Sequence, residues 1–153
     1  MVIIALGDQI QFAKRHIPHR IAILLAPFYR SEDTPPGSPI GEAVLHGSFV
    51  AFRSLMDFMG LKDNRKSPFP SLTTHRPTDD DDVTLASFGL PPIKVEDLTG
   101  SDAHLLASVY RVANKAVAHL TSGSEHPEID LRQYHAACTR LHALLRERLL
   151  SRY

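Results

Sequence analysis

Apolar residues recur every three to four positions through four blocks of this chain, and that periodicity leaves few folds open to it. Residues 8–28 carry Ile10, Ala13, Ile17, Ile21, Leu24, Leu25 and Phe28, and residues 38–60 carry Ile40, Val44, Leu45, Phe52, Leu55, Met56 and Met59. The third block, from Ser101 or Asp102 to Ser122, repeats the pattern at Leu105, Leu106, Val109, Val112, Ala113, Ala116, Val117 and Leu120. The fourth, from Asp130, has Leu131, Tyr134, Cys138, Leu141, Leu145 and Leu149. A helix with an apolar stripe has to bury it against another element. The short gap between the third and fourth blocks makes those helices antiparallel neighbours. The spacing therefore predicts an all-α chain: a four-helix up-and-down bundle with a long insertion, residues 61–99, between helices two and three. At 153 residues the chain reads as one domain, 1–153, long enough to bury a core.

Local chemistry punctuates these blocks. Pro18 interrupts the first and predicts a kink or two shorter helices. Residues 2–6 are a short apolar run that fits strand or helix equally, and residues 31–39 read as a linker. Ser38 is suited to cap the second helix with Pro39 at its first position, and Gly60 to stop it. Gly47, Ser48 and Ala51 leave room for a close helix neighbour. Arg53 and Asp57, one turn apart, read as a solvated surface pair. Ser101 or Asp102 caps the third helix and Gly123 ends it, while Asp130 and Gln133 resemble a capping box for the fourth. Between them Pro68, Pro70, Pro77, Pro91 and Pro92 block any continuous helix. Residues 64–80 are expected to be the least ordered, with Phe88 and Leu90 anchoring the end of the insertion, which then resembles a lid. The acidic run at residues 79–82 is expected to open a helical turn through Leu85 and Phe88. Adjacent acids point in different directions, so it makes a poor metal site.

Composition narrows function mainly by exclusion. Lys plus Arg equals Asp plus Glu, 17 each, so no global field draws the chain to nucleic acid or to an anionic membrane, and such binding has to come from a local patch. The single cysteine, Cys138, excludes an intrachain disulfide framework and reads as a small buried hydrophobe. His135 and His142 share a side of the fourth helix, but no carboxylate or cysteine completes a zinc set. There is no glycine-rich phosphate loop and no nucleophile elbow. No export signal or membrane span is recognisable, which makes the cytoplasm the default location. Neither cofactor nor metal is expected.

The chemistry concentrates on the third helix. Arg111, Lys115 and His119 are four residues apart and form one polar stripe on an otherwise apolar helix. Two cations and an imidazole on so narrow a strip make a candidate phosphate-binding, acid–base site. The helix macrodipole favours cations near a C-terminus by itself, which explains the same residues without function. On the second helix, Phe49, Val50 and Phe58 are left over once one stripe faces the core, and that surplus predicts a homodimer.

Three segments carry a family resemblance. Residues 42–60 (EAVLHGSFVAFRSLMDFMG), with a His and then Asp-Phe near the end, are similar to one helix of the HEPN superfamily of helical RNA-processing and defence proteins. Residues 113–121 (ANKAVAHLT) resemble its motif helix, and residues 81–88 (DDVTLASF) resemble an insert found in one bacterial branch. The resemblance spans roughly residues 40–150. The family's catalytic pattern is an Arg, usually a polar residue next, then four to six residues and a His. His119 matches that His; Asn114, followed by Lys115, stands where the commonest spacing has Arg, and Arg111 lies further upstream. The resemblance implies an RNA-binding protein or metal-independent endoribonuclease, dimeric, in a defence or toxin–antitoxin setting with an antitoxin or other protein partner. It implies that His119 exchanges a proton while an RNA 2′-hydroxyl attacks the adjacent phosphate. A positioned acid–base group of this kind contributes about 10²–10⁴-fold. Lys115 and Arg111 would stabilise the developing charge and Asn114 would orient the phosphate. The alternative it leaves open is a non-catalytic HEPN-like module that dimerises or docks a partner.

Overall fold

The computed structural model describes residues 5–29, 35, 37–75, 82–118 and 130–152. The described residues are mostly helical, with one small two-stranded antiparallel sheet among them. Its elements are α1 (Leu6–Gln11), a π turn (Phe12–His16), α2 (Ile17–Leu25), α3 (Pro39–Phe58), β1 (Leu61–Asp63), β2 (Leu72–Thr74), α4 (Gly100–Ala118) and α5 (Leu131–Arg148). Single 3-10 turns lie at Ala26–Phe28, Leu85–Phe88, Val95–Asp97 and Leu150–Arg152. Among the described residues no helix is long and apolar enough to cross a membrane. The run at 2–6 except its last two residues, most of the 31–39 linker, and the helix stop at Gly123 lie outside the described residues.

Most helix ends follow local chemistry. The Ser38 hydroxyl accepts from the Gly41 N–H at 3.1 Å and donates to the Pro35 carbonyl at 2.7 Å, capping α3 with Pro39 in its first turn. The Asp130 carboxylate caps α5 through the Arg132 N–H at 2.8 Å. At α4 the cap is Thr99, not Ser101 or Asp102: its hydroxyl accepts from the Asp102 N–H at 3.1 Å, and the helix starts at Gly100. Pro18 lies in the first turn of α2, and the first block is built as two shorter helices, α1 and α2, joined by the π turn. Proline lacks an N–H, and its ring crowds the carbonyl four residues earlier. The backbone answers by widening one turn, so that the Ile17 N–H donates to the Phe12 carbonyl five residues back.

The core gathers around α3, which packs against α2, α4, α5 and β1. Tyr134 of α5 is fully buried, with the rings of Phe49, Phe28 and Phe52 at 4.9, 5.6 and 6.2 Å. Its hydroxyl meets Ser48 Oγ at 2.5 Å, and Ser48 Oγ also donates to the Leu24 carbonyl at 2.6 Å. The small residues of α3 thus let α2 approach closely, as the sequence suggested. A second aromatic group joins Phe12, Phe58 and Phe88, with centroids 5.6–6.1 Å apart. Phe49 and Phe58 are therefore buried within one chain, and of the three residues held to be surplus only Val50 is exposed. The reason is that a helix surrounded on several sides buries more than one stripe. Cys138 is buried as expected, and desolvation pushes its thiol up to about 12, against the opposing effect of its bond with Tyr134.

The insertion departs most from expectation. Gly60 leaves α3 with φ +85°, in the left-handed region, and a Cβ there would lie 2.6 Å from Pro92 Cβ. The chain then forms β1, paired with β2 in the register Leu61↔Thr74, Lys62↔Thr73 and Asp63↔Leu72. One further bond, Asn64 N–H to the Ser71 carbonyl at 2.8 Å, extends the ladder. Residues 64–75, expected to be the least ordered, belong to this hairpin, while 76–80 lie outside the described residues. Pro68 and Pro70 do not prevent pairing because they occupy the connecting turn, where no ladder N–H is required. Phe88 and Leu90 do anchor the end of the insertion, both buried. The turn at Leu85–Phe88 is opened by Thr84, which exchanges hydrogen bonds with Ser87, and not by the acidic run. Residues 79–81 of that run lie outside the described residues.

Candidate functional site

The hairpin lies against α4, and the contact is made by Arg111. Its guanidinium donates to the Asp63 carboxylate through Nη2 at 2.8 Å and through Nε at 3.2 Å. Four carbonyls of the turn converge on the same group: Asn64 at 3.4 Å and Ser67, Pro68 and Phe69 at 3.2 Å each. Arg suits this position because its planar fork presents several donors in fixed directions. The Asp63 side chain is only 5 % exposed, so the guanidinium and not water is its main polar partner.

Beside this clamp opens a cleft of about 510 Å³, lined by Lys62, Asp63, Asn64, Arg65, Lys66 and Thr73 of the hairpin and by Tyr110 and Asn114 of α4. Tyr110 and Asn114 are one turn apart, hence on the same side of the helix. Lys62, Arg65 and Lys66 have no carboxylate partner among the described residues, whereas the one acid in the lining, Asp63, is held by Arg111. The net result is a concave surface rich in cations, with Tyr110 and Asn114 in its wall.

Beneath the cleft the polar residues of α3 are not the solvated pair their spacing suggested. The Tyr110 hydroxyl donates to Asp57 Oδ1 at 2.6 Å, and His75 Nδ1 lies 4.0 Å from the same oxygen. Arg53 Nε is buried without a hydrogen-bond partner, its guanidinium beside Tyr110. Burial first, and then the bond and charge of Asp57, hold the Tyr110 phenol well above its ordinary range, with Arg53 acting in the opposite sense. Tyr110 therefore stays protonated, with its proton directed at Asp57 and its oxygen lone pairs left to accept.

The four residues singled out on the third helix meet different fates. Asn114 lines the cleft, Arg111 is engaged in the hairpin, and Lys115 is exposed one residue further round the helix. His119 lies outside the described residues. Among the described residues no three His, Cys, Asp or Glu side chains gather as a metal set. The cations of the hairpin escaped the sequence reading because their role depends on strand pairing. The alternation Leu61-Lys62-Asp63 opposite Leu72-Thr73-Thr74, around a turn rich in Ser, Asn and Pro, was the available signal. No family model, curated protein or solved structure matches this chain.

Proposed function

We propose that this chain is a HEPN-like RNA-binding module, in which the cleft between the hairpin and α4 receives the phosphate backbone of RNA. One observation carries the reading: Lys62, Arg65 and Lys66 line one cleft with Asn114 and Tyr110, while Asp63, the one carboxylate among the described residues of that lining, is paired with Arg111. Phosphate contacts supply most of the affinity of such surfaces, and backbone-directed cations need no global positive charge to act. In support, α3 packs against α2 and α4, α4 against α5, and α5 against both α2 and α3, contacts compatible with an up-and-down bundle. Binding is favoured over cleavage because Arg111, the nearest arginine to the motif, is committed to Asp63 and four carbonyls. In this reading the module acts as a homodimer through the exposed side of α3, where Ile40 and Val50 lie.

The test is fluorescence anisotropy with a labelled single-stranded oligoribonucleotide across a salt series. Three phosphate contacts give a log–log salt slope of about −2, a loss of roughly twentyfold between about 50 mM and about 200 mM salt. Replacing Lys62, Arg65 and Lys66 together by Ala should flatten that slope by about 2. No binding by the parent at about 50 mM salt, or an unchanged slope in the triple variant, overturns the reading. The same RNA incubated in EDTA shows whether it is also cut, with His119→Ala as the control, and light scattering reports the dimer.

A further inference from the structure

We propose that Phe69 is a stacking platform for an unpaired base of the RNA held in the cleft, which makes the bound species single-stranded. The inference rests on the RNA-binding reading above and adds to it the form of nucleic acid recognised.

The chain has seven phenylalanines. Six of them are buried in the core or packed against it; Phe69 alone stands clear, 75 % exposed. An exposed aromatic on a mobile loop would mean little, but the backbone here is fixed from three directions. Arg111 donates to the carbonyls of Pro68 and Phe69. The Ser67 hydroxyl accepts from the Phe69 N–H at 3.3 Å and donates to its carbonyl at 2.8 Å. Pro68 and Pro70 flank it and lock their own φ angles. The ring is thus presented by a rigid frame while making no use of itself in the fold. A preorganised side chain loses little freedom on binding, so most of its contact energy appears as affinity.

The neighbourhood selects the occupant. An exposed ring suits a protein partner as well as a base, but the same turn carries Arg65 and Lys66, both exposed and without carboxylate partners among the described residues. Lys66 and Phe69 are three residues apart, so their Cα atoms are at most about 11 Å apart. One short oligonucleotide can therefore reach both. Cations along a backbone path with an aromatic beside it are the combination that binds single strands. Stacking accepts any base, because each has a π face, and a duplex conceals those faces. The site should therefore discriminate single strand from duplex and care little about sequence.

Two variants test this, Phe69→Ala and Phe69→Trp, with an unstructured uridine-rich oligoribonucleotide and a duplex of equal length as probes. Phe69→Ala should weaken single-strand binding by about tenfold, within the range for one stacked base, while leaving duplex binding, the salt slope and the melting temperature unchanged. Phe69→Trp should retain the affinity and, because the chain has no other tryptophan, report stacking directly as fluorescence quenching on titration with the oligonucleotide. If the parent binds the single strand but Phe69→Ala binds it within twofold as well, and the indole fluorescence of Phe69→Trp does not change, this inference falls and the RNA reading stands. If the parent binds neither probe, the RNA reading falls and takes this inference with it. A change in self-association of Phe69→Ala at constant RNA affinity would identify the ring as a protein contact and overturn the proposal.

Discussion

Removing the Arg111 side chain separates a structural role from a chemical one. In Arg111→Ala the Asp63 carboxylate, 5 % exposed, is left without its guanidinium, and four turn carbonyls lose a shared donor. Stripping one partner from a buried ion pair costs about 3–5 kcal/mol. Arg111 itself is 22 % exposed, and the hairpin lies at the surface. Water can therefore reach Asp63 once the turn shifts, which lowers the expected loss to about 2–3 kcal/mol. For a urea m-value of about 2 kcal/mol per molar, the unfolding midpoint should fall by about 1–1.5 M. Amide exchange at Asn64, whose N–H bonds the Ser71 carbonyl, should accelerate in the same variant. Replacing both members together, Arg111→Met with Asp63→Leu, should restore most of the midpoint, because neither charge then has to be desolvated. An arginine serving only RNA chemistry would behave differently, losing RNA function at unchanged stability. A midpoint for Arg111→Ala within about 0.2 M of the parent would refute the clamp.

Three further outcomes follow from the packing. Gly60→Ala should lose about 2–4 kcal/mol, seen as a lower melting temperature, since it combines a φ of +85° with a Cβ 2.6 Å from Pro92 Cβ. Ser48→Ala strands the Tyr134 hydroxyl beside a buried carbonyl and should cost about 1–3 kcal/mol, with Tyr134→Phe on the same background adding less than it does alone. Alkaline pH should destabilise the fold. Cys138 holds its proton up to about 12 in the folded chain against an ordinary 9.0, and Tyr110 and Tyr134 are raised likewise, chiefly by burial. The folded state therefore binds more protons than the unfolded one above about pH 9. Stability is complete below that value and declines as pH rises towards the folded values, which urea midpoints at about pH 8 and about pH 10.5 will show. At about pH 8 a thiol reagent should leave Cys138 unmodified until denaturant is added.

The features legible in the sequence are those whose physics is local. Ser38 with Pro39, Asp130 and Gly60 mark helix ends through contacts within a few residues, and each does so in the structure. Thr99, Ser101 and Asp102 are all competent caps within four positions, so spacing alone could not choose Thr99. The hairpin was hidden for a different reason. Two strands of three residues are too short to show a period, and the group that holds their turn, Arg111, is 48 residues away from Asp63. Three residues of the candidate site, Lys62, Arg65 and Lys66, are meaningful only after that folding-back. Phe49 and Phe58 misled for a related reason: their neighbours, Tyr134, Phe12 and Phe88, come from elements that the second helix alone does not reveal.

The widened turn at Phe12–His16 sets the rotational phase of everything before it. A helix advances about 100° per residue, and a π turn holds one residue more than the regular spiral would. Deleting one residue from this turn, together with Pro18→Ala, would let the helix run on regularly with α1 facing as it does now. Pro18→Ala alone, with the turn closed to a regular spiral, would instead swing α1 through about 100°. Gln9, which now reaches the Ser87 carbonyl at 3.3 Å, and the residues beyond it would then face another direction. The seam between the amino-terminal helix and the 3-10 turn at Leu85–Phe88 is in this sense indexed by a proline: the ring of Pro18 fixes which side of α1 looks inward.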